Sequence, residues 1–125
     1  MTAAVVFAII GAGALGAVLR YVTARAFASR DGFPWAVLIV NVAGSALGGL
    51  LAGLAHIGTI DPTLEIVMLT GLCGGLTTFS TLSVETMQII SLKKVRVAFL
   101  SVAANLVVGI GVAAAMYFWL IALAS

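Results

Sequence analysis

Four long apolar stretches, separated by short polar ones, take up nearly the whole chain. No charge interrupts the residues from Thr2 to Leu19, and the first cation, Arg20, follows the apolar run rather than preceding it. That order is the reverse of a secretory leader, so a retained first span is expected over roughly Ala3 to Phe27. The linker ASRDGFPW ends in Pro34, suited to a helix start, and Trp35, suited to a membrane interface. A second span is predicted from about Trp35 to Ala55. The loop GTIDPTLE offers Asp61 as a cap and Pro62 as a first turn for a third, from about Leu64 to Leu92. Lys93, Lys94 and Arg96 then make a basic turn before an uncharged fourth span, Val97 to Ala124. A bilayer core about 30 Å thick takes ~20 helical residues per crossing, so the pattern predicts an all-α membrane protein with four crossings in a single domain.

The third stretch reads unlike the others. GLCGGLTTFSTLSVE, from Gly71 to Glu85, places three glycines and the hydroxyls of Thr77, Thr78, Ser80, Thr81 and Ser83 inside a span of membrane length. Glycine in a helix interior costs roughly 1 kcal/mol against alanine. Irregular backbone at membrane depth survives only where it is buried in protein or lines a wet cavity, because unpaired amides in lipid are expensive. The segment is therefore expected to be a broken helix at a functional site. Glycines elsewhere, Gly11, Gly13 and Gly16 in the first span and Gly44, Gly48 and Gly49 in the second, offer small-residue surfaces for close helix contact.

Composition narrows the function classes. With 63% hydrophobic and 8% charged residues, and a mean hydropathy of +1.28, the chain lies outside the range of soluble domains. No basic patch interleaved with aromatics is present, which argues against a nucleic-acid partner. One histidine, one cysteine, no HExxH, no Ser-His-Asp set and no Walker loop leave no catalytic constellation, so an enzyme is not expected. His56 reads as an interfacial residue and Cys73 as a small buried one.

Charge also suggests an orientation. Arg25 and Arg30 follow the first span and Lys93, Lys94 and Arg96 the third, whereas the middle loop has no cation. With four crossings these two loops share a side, which the positive-inside rule makes cytoplasmic. The polar groups most costly at depth are Arg20, Asn41 and Glu85. Arg20 either snorkels to the interface or faces the bundle interior. Asn41 either joins two helices or lines a path, and Glu85 is either an interfacial acid or part of that path. Hydroxyls, an amide and the positive edge of Phe79 together make a surface suited to an anion, while carbonyls freed by a break suit a cation.

GLCGGLTTFSTLSVE, with GALGAVLRY and VNVAGSALGG before it, resembles the small bacterial fluoride channels, the Fluc or CrcB proteins, along essentially all four spans. The resemblance implies a passive, fluoride-selective ion channel in the cell membrane, built as an antiparallel dimer with two pores and a central structural sodium ion that is not transported. By position it puts the sodium-binding carbonyls on Gly74 and Thr77, the pore phenylalanine on Phe79, the pore asparagine on Asn41 and the vestibule arginine on Arg20. The hydroxyl and acid lining of the third span falls on Ser80, Thr81 and Glu85.

The chain departs from the family pattern in three places. Leu82 stands where a second phenylalanine is usual, beside Phe79 on one helix face, so the resemblance puts Leu82 on the fluoride path with one aromatic wall missing. The fourth span has no hydroxyls from Gly109 to Ala115. The charge bias is stronger than suits an antiparallel homodimer, so a heterodimer with a related chain of opposite orientation is an alternative. Two other readings stand beside the channel: a small multidrug-type antiporter, which would need an acid that the first span lacks, and a non-transporting structural protein of the membrane, which would leave the hydroxyl-dense break unexplained.

Overall fold

The chain is seen in a computed structural model that describes residues 1–28 and 30–125. Helix α1 runs over Ala3–Ala26 and α2 over Trp35–His56. The third span, Pro62–Ser91, is made of pieces: α3 (Pro62–Ile66), a π-helical stretch (Val67–Cys73), a single turn α4 (Gly74–Leu76) and, after a non-helical interruption, α5 (Ser80–Ser91). Helix α6 (Val95–Ala124) closes the bundle. Among the described residues, four helical spans are thus long and apolar enough to cross a membrane.

Local chemistry sets the ends of these elements. Thr2 caps α1 by accepting from the Val5 amide, and Asp61 caps α3 through a 2.7 Å bond from the Leu64 amide, with Pro62 in the first turn. In the first linker the Asp31 carboxylate accepts from the Phe33 amide and from the Trp35 indole nitrogen, which folds the linker back onto the start of α2. Gly58, with φ of +78°, ends α2 in the left-handed conformation that glycine adopts without strain. Lys93 holds φ of 60° in the α5–α6 turn, an unusual conformation for a residue with a side chain.

Helices approach where glycine replaces bulk. A Cβ at Gly75 would collide with the Gly13 carbonyl, one at Gly71 would stand 2.8 Å from both Ala12 Cβ and the Ile9 carbonyl, and one at Gly16 would meet the Leu72 carbonyl. The small-residue face of α1 therefore lies directly on the π-helical stretch and α4, although Gly11 faces open space. Gly49 and Gly53 do the same for α2 against Ala113 and Leu120 of α6, and Gly44 leaves room for the Thr77 side chain. Val37, Val40 and Leu51 of α2, Cys73, Leu82 and Ile89 of the third span and Ala98 of α6 form the apolar interior.

Candidate functional site: the interrupted third helix

The helix is interrupted at Thr77 and Thr78, just past the glycines. Thr77 is extended, with ψ of 158°, and the chain turns into α5 at Phe79. The interruption falls within the Gly71 to Glu85 segment, where the sequence predicts a broken helix. Gly71 and Gly75 serve close contact with α1, where an unbroken helical turn can press against its neighbour.

An interruption strands backbone groups that a continuous helix would pair, and here side chains from the other helices take them up. The Thr78 amide donates to Asn41 Oδ1 at 2.8 Å, and the Thr78 carbonyl accepts from Asn41 Nδ2 at 3.1 Å, so one amide from α2 holds both polar groups of one residue. Arg20 of α1 donates from Nη1 to the Thr77 carbonyl at 3.3 Å. Asn105 of α6 accepts from Asn41 Nδ2 at 2.8 Å and donates to the Ser101 carbonyl one turn back. Each flanking helix thus sends one polar side chain to the break or to the group that holds it.

Thr78 also starts α5. Its Oγ1 accepts from the Thr81 amide at 3.1 Å and lies within 3.2 Å of the Ser80 hydroxyl and 3.1 Å of the Thr81 hydroxyl. This is N-capping by a threonine side chain, and it gathers three hydroxyls at the positive end of α5. Beside them is a cavity of about 290 Å³ lined by Arg20, Tyr21, Val40, Thr78, Thr81 and Glu85 among others. Glu85 lines a second hollow as well, with Gly32, Pro34 and Leu92, and so stands between the break and the linker end of the bundle. Its Oε2 is buried without a hydrogen-bond partner, and among the described residues Arg20 and Glu85 share the cavity without forming an ion pair.

The candidate residues are distributed as follows. Arg20, Thr81 and Glu85 come together around the cavity, and Ser80 adjoins it through Thr78. Arg20 is half-buried with its guanidinium on the break, which sets it apart from a purely snorkelling arginine. Phe79 is 82% exposed on the outer surface of this single chain, whereas Leu82 is only 9% exposed. In the single chain the two stand differently: Phe79 sits at the interruption, where α5 begins, while Leu82 in its first turn packs into the bundle. Asn41 offers no free NH2 hydrogen to a passing ion, since both are bonded within the protein.

Gly74 and Thr77 carry the carbonyls expected to bind sodium. Because the Thr78 amide turns to Asn41, the Gly74 carbonyl loses the donor that a continued helix would supply. Gly74 is exposed, and a Cβ there would find only the Leu69 carbonyl, at 3.9 Å. The Thr77 carbonyl, bonded to Arg20 on one lone pair, keeps a second. Two hard oxygens released by a helix break are a donor set that fits a sodium ion.

Reasoning from the sequence missed Asn105 and Ser101 as members of this cluster. Their signal was present: an amide four residues after a serine, in register with Ala98 and Gly109 on the buried face of an otherwise apolar helix. Thr78 stood out only as one hydroxyl in a run.

Similarity to known proteins agrees with this architecture. Residues 6–117 match the family model described as CrcB-like protein, Camphor Resistance (CrcB). A protein of Streptomyces avermitilis called fluoride-specific ion channel FluC 1 is 46% identical over 83 residues, 65% of this chain and 67% of that one. The fluoride-specific ion channel FluC of Flavobacterium psychrophilum is 37% identical over 108 residues, covering 84% of this chain and 87% of its own length. That of Methanopyrus kandleri is 38% identical over 113 residues, covering 86% of each chain.

Proposed function

The chain belongs to the CrcB-like family, and from that premise we propose that it is a passive, fluoride-selective channel through which the anion leaves the cytoplasm. The observation that carries the reading is the cluster of Thr78, Ser80 and Thr81 hydroxyls at the start of α5, opening on the cavity with Arg20. Hydroxyl donors at a helix N-terminus beside a guanidinium replace the water that fluoride must shed. The relatives' designation as fluoride-specific channels supports the choice of ion.

No energy source is needed. Hydrogen fluoride crosses lipid as a neutral weak acid and dissociates in a more alkaline cytoplasm, leaving the anion trapped. An inside-negative potential of 100 mV then drives each charge outward by about 2.3 kcal/mol. In this reading Arg20, Thr81 and Glu85 line the approach, and Phe79 meets the ion along its edge where a second subunit covers it.

The pore is expected to lie in an antiparallel dimer, because the exposed Phe79 and Gly74 both look outward from the single chain. Gly74 and Thr77 would hold a structural sodium ion with their carbonyl oxygens at the dimer centre, and its charge would hold the two interrupted helices together. The second subunit is either an identical chain or a related chain inserted the opposite way. The loop cations favour the second arrangement.

Vesicles loaded with fluoride and containing this chain test the proposal. Voltage-driven fluoride efflux that excludes chloride is expected, from this chain alone or once an oppositely oriented family member is added. Vesicles that retain fluoride both with this chain alone and with an oppositely oriented family member added would refute it.

A further inference from the structure

Asn41 has no spare donor, and its orientation is dictated rather than free. The Thr78 amide can only donate, so the Asn41 atom facing it is Oδ1; the neighbouring Thr78 carbonyl can only accept, so the atom facing it is Nδ2. The second Nδ2 hydrogen goes to Asn105 Oδ1. Asn105 is oriented in turn, because its own Nδ2 donates to the Ser101 carbonyl at 2.8 Å. An amide flip at either residue would set donor against donor and acceptor against acceptor.

Asn105 is 8% exposed in the middle of a helix that otherwise buries alanine, serine and glycine on this face. Burying an amide there is unfavourable unless its bonds are made. Its acceptor is used on Asn41, the side chain that pairs both backbone groups of Thr78 in place of the bonds a continuous helix would make. The close approach of α6 to α2 at Gly49 and Gly53 brings the two amides within reach.

We propose that Asn105 is a positioning residue for permeation: it locks the Asn41 amide onto Thr78 and so fixes the hydroxyl cluster at the start of α5. Asn41 is then the clamp on the break and not a donor to the ion. The inference rests on the proposed conduction and deepens it.

The test is a double-mutant cycle in lipid vesicles with two readouts, fluoride efflux and hydrogen exchange at the Thr78 amide. Asn105→Ala is expected to slow efflux by roughly tenfold or more and to speed exchange at Thr78, as a lost buried acceptor should. Asn41→Ala is expected to do both more strongly, and the double variant to be no worse than Asn41→Ala to within about twofold, because Asn105 acts only through Asn41. Losses that multiply, or an Asn105→Ala variant with unchanged Thr78 exchange, would overturn the proposal. If Asn105→Ala does not assemble, the parent chain decides by resonance of the Asn41 side chain. NH2 protons that show no coupling to fluorine on adding fluoride support the clamp, and a hydrogen-bond coupling to fluorine overturns it. A parent assembly that releases no fluoride would instead refute the channel reading, and the exchange measurement would still judge Asn105.

Discussion

At the scale of single residues, Phe79 and Leu82 divide functions that two similar side chains would share. Phe79 stands 82% exposed where α5 begins, with little packing to lose, while Leu82 is only 9% exposed and fills the interior. Phe79→Ile is therefore expected to leave the fold of the subunit intact and to lower fluoride efflux by about tenfold or more, since the ring edge is what an anion would meet. Leu82→Phe is expected to overpack the bundle and destabilise it by roughly 1 to 3 kcal/mol, with no gain in flux per assembled channel. Efflux measured beside thermal stability separates the two, and faster efflux from Leu82→Phe would return Leu82 to the ion path. Asn41→Asp is a sharper substitution. A carboxylate still accepts from the Thr78 amide but offers nothing to the Thr78 carbonyl or to Asn105 Oδ1, so two buried acceptors face a negative oxygen. Loss of efflux together with a stability loss of about 2 kcal/mol or more is expected, and normal stability would mean that the clamp is not what the substitution removes.

At the scale of elements, the third span puts two uses of glycine at adjacent positions. Gly75 is pressed on the Gly13 backbone, whereas Gly74, its neighbour, faces outward, its Cβ position 3.9 Å from the nearest neighbouring atom, the Leu69 carbonyl oxygen. Gly75→Ala is thus expected to destabilise the single subunit, at the upper end of the ~1 to 3 kcal/mol typical of overpacking, because backbone cannot move aside as a side chain can. Gly74→Val has no such clash and is expected to leave subunit secondary structure intact while preventing assembly. Helix content and oligomeric state, measured on both, tell the two apart, and a Gly74→Val protein that assembles and conducts would remove Gly74 from the dimer centre. The spans, the Asp61 cap and the existence of a break were legible in the sequence, since apolar length, an Asp-Pro start and a hydroxyl run are local signals. The separate roles of the glycines before it were not, because glycine marks equally a flexible backbone and a close contact, and only the approach of α1 decides between them. Asn105 was hidden for a related reason: its meaning depends on Asn41, 64 residues away in sequence. In the first linker, the Trp35 indole N–H and then the Phe33 amide hold the Asp31 carboxyl below its usual range. A depressed folded-state value contributes stability that is present above about pH 4 and lost as pH falls through that lowered value. Trp35 fluorescence is expected to change only below that point, and to lose this transition in Asp31→Asn.

At the scale of the whole molecule, the cations gather at one end of the bundle. A Cβ at Gly32 would lie 3.5 Å from Lys94 Nζ, so the linker after α1 and the turn before α6 adjoin, and the far end is marked by His56 edge-on to Tyr117 at 5.8 Å. Arg25, Arg30, Lys93, Lys94 and Arg96 therefore act together as one signal for insertion. An antiparallel dimer of identical chains needs both orientations in one membrane, and a one-sided set of cations works against the reversed one. Cys73 is the sole cysteine and is buried, so Cys73→Ala clears the background for a single reporter cysteine at either terminus. Labelling intact cells with a membrane-impermeant thiol reagent is expected to reach essentially every chain from outside, at either terminus. A uniform population of that kind, together with vesicles of the isolated chain that conduct poorly until an oppositely oriented relative is added, is the outcome expected of one half of a paired channel. Comparable labelled and protected fractions would show that the cations do not decide insertion, and that two copies of this chain suffice.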